Sequence, residues 1–572
     1  MQSTVHPILP IQAAQPIRVD TLKRPSFVPR PLVGRRTRSG PLRVALVEPR
    51  YVPSYYGMDY LLPLLPGQPK AAQSGGALPL LAAFVKEPHE VALFNENTDD
   101  VDLAALRDYD IIGLTGMIVQ RQRMREILES LKDFPGIVIV GGPYASVDEQ
   151  FFSGLCDVIF VGEADTSWPQ FLETVASGEP WGSRHEQVER TDMTVLPLPR
   201  YDLLDPRKVL VANVQFSRGC PFLCEFCDII TIFGRVPRAK RPEQVIAELE
   251  MLRRQGFRVV FLVDDNFIGN RKLAREMLHA LVAWQEANDY PLVLTTEASI
   301  NLADDAELLS LMEKANFRMV FIGIETPNLE SLGETRKVQN VRGDGLLEKV
   351  ARVRDAGLLI EGGFMVGFDN DGPDIFERQY QFIQASGIAR AAVSILSAIP
   401  STPLFDRLRA EGRLRLDDPA CNFVPAQMTA AELRQGYLDL TRRIYDAPAY
   451  FERVFGSFAS SPKFRERWHT RTARERKGLR TRVLAWAGAA LTGARLLRVL
   501  ARDGELRLLR DYARIWADYR RHGTPGISLP QFVSYAALHW HAYRHYREGR
   551  DGGHKNISIY SYTADTGNAP HA

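Results

Sequence analysis

Short runs of Val, Ile, Leu and other apolar residues alternate with stretches of helical spacing along most of the chain. That alternation predicts parallel strands joined by crossover helices. The runs form two series. The first is "LRVALVEP" (42–49), "EVALFNEN" (90–97), "DIIGLTG" (110–116), "IVIVGGP" (137–143) and "DVIFVGE" (157–163). Five such strands predict an open, doubly wound Rossmann-like sheet over 41–185. The second is "VANVQFS" (211–217), "VVFLVDD" (259–265), "LVLTTEAS" (292–299), "MVFIGIE" (319–325), "LIEGGFMVGF" (359–368) and "AAVSILSAIP" (391–400). Six strand–helix units predict an α/β barrel over 206–430, with 186–205 as linker. Beyond 430 the periodicity is helical, as in "TAAELRQGYLDLTRRIYDA", so 431–548 is predicted to be a mostly helical region. Residues 1–40, rich in Pro and Arg, and 549–572, rich in Gly and polar residues, read as a disordered arm and tail.

Parallel α/β sheets present ligands at the carboxyl ends of their strands. In the first series those ends are "TGMIVQ", "GGPYAS" and "VGEAD". They make Gly116, Met117, Gln120, Gly141, Gly142, Pro143 and Glu163 candidate ligand contacts, because glycine lets backbone approach a bulky group. A G-x-G-x-x-G turn is absent, which weighs against a dinucleotide. In the second series the ends carry Asp264, Asp265 and Asn266, then Glu297, Glu325 and Asp369. Any one of these could merely cap the following helix. A whole series of them on one edge reads as a site.

Between the first two barrel strands lies "SRGCPFLCEFCDI" (217–229), with Cys220, Cys224 and Cys227 in a C-x3-C-x2-C frame. Structural zinc takes four ligands, usually as two pairs, and no fourth is close in sequence; Cys156 and Cys421 are remote. Three thiolates on a [4Fe–4S] cube leave one iron open to a further ligand. A zinc site completed from elsewhere remains the alternative. Five cysteines in 572 residues do not make a disulfide framework, which with the lack of a signal-peptide pattern predicts a cytoplasmic protein. Net charge is only +2, so no nucleic-acid partner is expected from bulk charge.

The cysteine frame, with aromatic Phe226 before its last member, resembles the radical SAM signature. The resemblance implies a partial (βα)6 barrel, a [4Fe–4S] cluster on the three cysteines, and S-adenosyl-L-methionine on the open iron. It places the methionine amino group near Asp264, Asp265 and Asn266, where many members instead have Gly-Gly-Glu. Glu297 and Glu325 would face the ribose or methionyl part, and "GGFMVGF", with Gly367, the cofactor backbone-on. The preceding sheet is similar to the cobalamin-binding domain of B12-dependent radical SAM enzymes, whose corrin the "TGM" and "GGP" loops would hold. The D-x-H-x-x-G motif that offers cobalt a histidine is missing. His89 is the only histidine between 41 and 180, so the resemblance implies cobalt without a protein imidazole. "VDDNFIGNRKL", "TEASINLADD", "FIGIETPN", "GGFMVGFDNDGPDIF" and "PRYVPSYYGMDYLLPL" are similar to the B12-binding radical SAM subfamily that includes the hopanoid C-2 methylases.

The implied activity is cobalamin-dependent C-methylation of an unactivated sp3 carbon, possible targets being a hopanoid or another isoprenoid lipid. It needs a reduced electron donor such as flavodoxin or ferredoxin. B12-assisted radical chemistry without methyl transfer, such as ring contraction or oxidation, and a non-catalytic iron–sulfur module are the alternatives. Residues 483–494, "VLAWAGAALTGA", are uncharged but too few to span a bilayer, and no run reaches about 18 such residues. With the Leu/Arg pattern that follows, they fit an ordinary amphipathic helix packed on the barrel or one lying in a membrane interface; the hopanoid-like substrate that the resemblance implies favours the second, so peripheral binding to anionic membranes through about 463–510 is expected. His539, His541 and His545 do not share one helical face and read as packing groups, not as a metal site.

Overall fold

The computed structural model describes residues 27–31, 40–416, 421–475, 478–522 and 526–548. Fifteen strands follow in chain order: β1 (Arg43–Glu48), β2 (Ala71–Gln73), β3 (Glu90–Asn95), β4 (Ile111–Thr115), β5 (Ile137–Gly141), β6 (Val158–Gly162), β7 (Arg184–Gln187), β8 (Val209–Val214), β9 (Ser217–Arg218), β10 (Arg238–Ala239), β11 (Val259–Leu262), β12 (Val293–Glu297), β13 (Phe317–Glu325), β14 (Leu359–Val366) and β15 (Arg390–Ile395).

The N-terminal sheet is wholly parallel, in the order β3-β1-β4-β5-β6-β7. Its continuous apolar strands are covered on both faces by separate buried clusters, as parallel sheets require. The strand order reverses between β1 and β4, so the ligand crevice of such a sheet lies at their carboxyl ends. All five expected strands are present. The sixth, β7, was hidden because its sequence, Arg-His-Glu-Gln, is polar; it lies at the sheet edge, with exposed and half-buried positions alternating.

The second sheet is also parallel, in the order β15-β14-β13-β12-β11-β8-β2. The six expected strands are joined by a seventh. Ala71–Gln73, from the connection between β1 and β3, pairs with β8. The chain therefore does not divide at 185: residues 49–76 leave the first sheet, form a strap along the barrel and return. Nor is 186–205 a free linker, since β7 extends into it and Met193, Leu196 and Tyr201 are buried.

The barrel is open between β15 and β2, and the C-terminal helices close it. The Ala391 N–H of edge strand β15 donates to the Tyr445 hydroxyl at 3.2 Å, and the Val393 N–H to the Tyr546 hydroxyl at 3.1 Å. Side chains thus satisfy an edge that would otherwise be free to pair. Barrel, strap and C-terminal helices share one hydrophobic core, running from Tyr55 to Tyr546. The three C-terminal histidines belong to it. His541 accepts from the Tyr60 N–H at Nδ1 (3.3 Å) and donates from Nε2 to the Tyr55 carbonyl (2.8 Å). Burial holds His539, His541 and His545 well below the usual imidazole range, at about 3, 4 and 3. The three rings pack in the core in their neutral form.

The expected disordered arm and tail lie outside the described residues, except 27–31. There Phe27 is buried and the Arg30 guanidinium pairs with Asp157 at 2.8 Å, so this part of the arm is docked on the N-terminal domain.

Candidate functional site

The cysteine loop is the long connection of a two-residue hairpin. Ser217–Arg218 pairs antiparallel with Arg238–Ala239, so 219–237 form a closed loop above the barrel edge. Gly219 has a φ of +97°, and a Cβ there would lie 3.0 Å from the Val236 carbonyl oxygen. Only glycine fits that turn. The Gly219 N–H donates to Asp265 Oδ2 at 2.7 Å, the Cys220 N–H to the Gly234 carbonyl at 3.2 Å and the Cys227 N–H to the Cys224 carbonyl at 3.2 Å.

All three loop thiols are free; Cys224 is buried and the other two are half-buried. Amide donors face two of the sulfurs: Gln339 Nε2 lies 3.6 Å from Cys224 Sγ, and Asn266 Nδ2 lies 3.9 Å from Cys220 Sγ. Burial pushes the Cys220 and Cys227 thiols up, so thiolates here need compensating cations. Iron supplies these, and sulfur-directed N–H donors are a usual second layer around such clusters. No three His, Cys, Asp or Glu side chains among the described residues converge as for a single ion. Cys156 and Cys421 are buried away from the loop, and Cys156 Sγ lies 3.9 Å from the Phe152 carbonyl.

The strand-end residues separate into those that build the edge and those that face inward. Asp264 is spent: it accepts from the Phe216 N–H (2.8 Å), the Ser217 N–H (3.0 Å) and the Ser217 hydroxyl (2.9 Å), fixing β8 to β9. Burial still raises it to about 7, and Asp265 to about 6. Asn266 is tied to Ser299, its Nδ2 3.1 Å from Oγ. Glu297 has no side-chain hydrogen bond among the described residues, and burial followed by the charges of Asp265 and Glu361 raises it to about 8. Glu325 sits at a register shift between β13 and β14 with a φ of +64°, a bulge that re-aims its side chain. Its Oε1 receives Lys337 Nζ at 2.5 Å, and a Cβ at Gly323 would lie 2.3 Å from that oxygen. Lys337 also stands 5.7 Å over the Phe226 ring. Gly367 is used differently from the expectation of close cofactor approach. Its φ is +103°, its N–H donates to Asp371 Oδ2 at 3.0 Å, and a Cβ would meet Leu433 of an outer helix at 2.9 Å.

At the other edge, Gly116, Gly141, Gly142 and Pro143 form one rim. Gly142 has a φ of +92°, and a Cβ there would be 2.3 Å from Thr115 Oγ1. Met117 is half exposed above this rim. Gln120 is buried beneath it, accepting from the Met117 N–H at 2.8 Å and donating to the Pro49 carbonyl at 2.6 Å, so it shapes the loop. His89 precedes β3 at the opposite edge and accepts from the Leu42 N–H at 3.0 Å. It cannot serve a group bound at the rim.

Glu163 joins the two edges. Its carboxylate binds Arg238 (2.6 Å) and Arg218 (3.1 Å), the two arginines of the hairpin that closes the cysteine loop, and Asp165 also pairs with Arg218. Ile232, just after the last cysteine, is buried in the N-terminal core. The short helix Ile229–Ile232 packs on Pro143–Val147, which starts at the Gly142 turn. The cysteine loop is therefore fastened to the carboxyl edge of the N-terminal sheet.

Several functional residues escaped sequence reasoning because they meet only in space. Glu48, at the end of β1, is buried beside Tyr51 and Asn95 at the reversal of strand order, and burial raises it to about 7. Tyr56 of the strap stands at the inward-facing Phe321, ring centroids 6.2 Å apart, yet is 48% exposed: it is walled in without being covered. Glu361 pairs with Arg390 at 3.0 Å deeper in the barrel. The only linear signals were "TRKVQN" after the β13 edge and the Tyr-rich "PSYYG".

A parallel half-barrel with this three-cysteine loop at its carboxyl edge defines a radical SAM enzyme. The radical SAM superfamily matches residues 214–383, and a domain of unknown function, DUF4070, matches 402–496. An uncharacterised methyltransferase of Synechocystis is 37% identical over 427 residues, 73% of this chain and 78% of that protein. The hopanoid C-2 methylase of Rhodopseudomonas palustris is 35% identical over 418 residues, 72% and 78% of the two chains. Among solved structures, OxsB, a cobalamin-dependent S-adenosylmethionine radical enzyme with aqua-cobalamin and S-adenosylmethionine bound, superposes with a TM-score of 0.56 at 13% identity, covering 91% of this chain and 84% of that one. The methyltransferase TsrM from Kitasatospora setae, with cobalamin and a [4Fe–4S] cluster bound, gives 0.52 at 18% identity, covering 65% and 78%. The chain belongs to the B12-binding radical SAM methyltransferase family, in the subfamily of the hopanoid C-2 methylases.

Proposed function

We propose that this protein transfers a methyl group to an unactivated sp3 carbon of a hopanoid or other isoprenoid lipid. The observation that carries the reading is the fastening of the cysteine loop to the glycine rim through Glu163, Arg218 and Arg238. A group held by the thiolates and a group held on the rim thereby come to serve one reaction space. The cofactors are a [4Fe–4S] cluster, S-adenosyl-L-methionine and cobalamin. When bound, they supply a 5′-deoxyadenosyl radical for hydrogen abstraction and a methyl group for transfer.

The residues of the chain do the rest. Cys220, Cys224 and Cys227 hold the cluster as thiolates, with Gln339 and Asn266 donating toward sulfur. Asp265 fixes the turn that presents Cys220. Glu297 and the Lys337–Glu325 pair offer an acceptor and a donor on the inward side for the polar parts of S-adenosylmethionine, with Phe226 beneath the ammonium. Gly116, Met117, Gly141, Gly142 and Pro143 receive the corrin face, and Gln120 holds their loop. Tyr56 and Phe321 wall the space where a substrate carbon would sit and keep it poor in water. A reduced flavodoxin or ferredoxin supplies the electron, and the cytoplasmic protein meets its substrate as a peripheral membrane protein.

The test is anaerobic reconstitution with iron, sulfide and cobalamin, followed by incubation with lipid extract and S-adenosylmethionine carrying a deuterated methyl group. The expected result is an isoprenoid product heavier by one labelled methyl group. 5′-Deoxyadenosine with a product that gained no methyl would instead mean ring contraction or oxidation.

A further inference from the structure

The helix Leu479–Arg502 differs from every other helix of the C-terminal region. By length and composition its Thr481–Arg502 segment could cross a membrane, yet little of it is buried. One face is packed: Thr492, Leu496 and Leu500, each four residues from the next, are buried. The opposite face is apolar and bare. Val483, Leu484 and Trp486 are 56%, 60% and 54% exposed, and Ala490, Leu491 and Leu497 continue the face at helical spacing. Monomeric soluble proteins rarely leave so continuous an apolar stripe in water.

Charge identifies what covers it. Arg482 and Arg498 flank the stripe, and Arg510 and Arg514 are exposed on the following helix, Leu506–His522. None of these four makes an ion pair among the described residues. Over 463–521 the sequence carries 17 Lys or Arg against six Asp or Glu. A second copy docking here would bring arginine against arginine. An anionic lipid surface offers phosphates to the arginines and acyl chains to the stripe, with Trp486 at the boundary that amphipathic rings prefer. The helix does not span. Its packed face lies on Leu529–Glu548, the Arg495 guanidinium binds the Leu65 carbonyl, and Gly488 faces Pro66.

We infer that Leu479–Arg502 lies flat in the interfacial region of an anionic bilayer leaflet and docks the protein there. Leu65 and Pro66, beneath the helix, belong to the same strap as Tyr56, which stands at Phe321 of the barrel. The docking face and the reaction space are thus two sides of one layer, and a lipid leaving the bilayer beside this helix meets the strap first. The inference rests on the proposed lipid substrate for the purpose of docking, but not for the docking itself.

The test uses the full, reconstituted chain with vesicles of phosphatidylcholine alone or containing 30% phosphatidylglycerol. We expect co-sedimentation with the anionic vesicles, weakened by salt. A Leu484→Glu/Trp486→Glu/Leu491→Glu variant should lose well over tenfold in partitioning, since it puts three carboxylates where the apolar face would enter the acyl boundary. A second variant, Arg482→Glu/Arg498→Glu, spares the stripe and should bind about fivefold or more weaker per residue changed. Both should keep their cluster absorbance and their turnover of detergent-dispersed substrate. Equal binding by wild type and both variants, or none by any, overturns docking through this helix. So does a wild-type dimer that the apolar variant converts to monomer, because the stripe would then belong to a second copy. Vesicle binding needs no turnover, so a failure of the methylation reading would show separately, as absent product from protein that still sediments.

Discussion

The two parallel sheets present opposite kinds of carboxyl edge. The barrel edge is rich in thiols, carboxyls and a lysine, each tied to a neighbour or left facing inward. The N-terminal edge is mostly glycine and backbone, with the buried carboxyls Glu48, Glu163 and Asp165 at its strand ends. A small zwitterionic ligand needs charged groups at fixed places, whereas a broad macrocycle needs room and shape. The same strand–helix unit thus yields an electrostatic site in one place and a steric cradle in the other. The hairpin arginines Arg218 and Arg238, gripping Glu163, set the two edges toward each other.

Changing the barrel edge should have the largest effect. Cys220→Ala, Cys224→Ala or Cys227→Ala should each abolish the roughly one four-iron cluster per chain, read by iron content and absorbance, and with it all 5′-deoxyadenosine formation. Cys156→Ala and Cys421→Ala should keep the cluster, because neither thiol lies in the loop. A Cys224→Ala protein that retained four iron atoms would remove the ligand assignment.

The cradle should fail in a different way. Gly142→Val adds a β-branched side chain at a φ of +92° and against Thr115, a conformation costing about 1–3 kcal/mol before the clash is counted. The expected protein is brown, cleaves S-adenosylmethionine, binds no cobalamin and makes no methylated product. Loss of cluster and cobalamin together would show that the two edges do not carry separate functions.

The contrast also explains what the sequence disclosed. The cluster loop was legible because its chemistry is local: three cysteines, a glycine and an aromatic within ten residues. The barrel strands were legible from apolar runs buried on both faces. Strand β2 was not, since Ala-Ala-Gln carries no periodicity and exists only because β8 offers an edge. Lys337 and Gln339 were illegible because they follow a helix and reach the cysteines only in space. What requires glycine at Gly367 was also illegible, since the atom an added Cβ would meet belongs to Leu433, far along the chain.

The joint between the edges comes next in size. Burial alone would raise the Glu163 carboxyl, but hydrogen bonds from Arg238 and Thr191 and the charges of Arg218 and Arg238 outweigh it and hold it below the usual carboxylate range. Its stabilisation is present above the ordinary Glu value of about 4.3 and is lost as pH falls through the lower folded value. Glu163→Gln leaves the buried Arg218 and the half-buried Arg238 short of one negative charge, with Asp165 still paired to Arg218, and should cost about 3 kcal/mol at neutral pH. Thermal unfolding should show the deficit at pH 7 and its narrowing toward pH 3. A variant as stable as wild type at pH 7 would mean that the arginines are not a joint.

Glu297 should act with the opposite sign. Burial raises its carboxyl to about 8 and no side-chain hydrogen bond reaches it among the described residues, so in the cofactor-free protein it is mostly protonated at neutral pH. The unfolded chain releases that proton near pH 4.3. The folded state therefore binds the extra proton, and stability falls as pH rises between those two values and levels off beyond about 8. Glu297→Gln is neutral in both states and escapes the loss. It should unfold at nearly the wild-type temperature at pH 5, and above it at pH 9, in cofactor-free protein. The order should reverse once S-adenosylmethionine is added, because a carboxylate kept without a protein partner is then met by the ligand's donors, which the amide accepts less strongly. Identical melting of the two proteins at pH 9, with and without ligand, would show that this side chain faces solvent and not the cofactor.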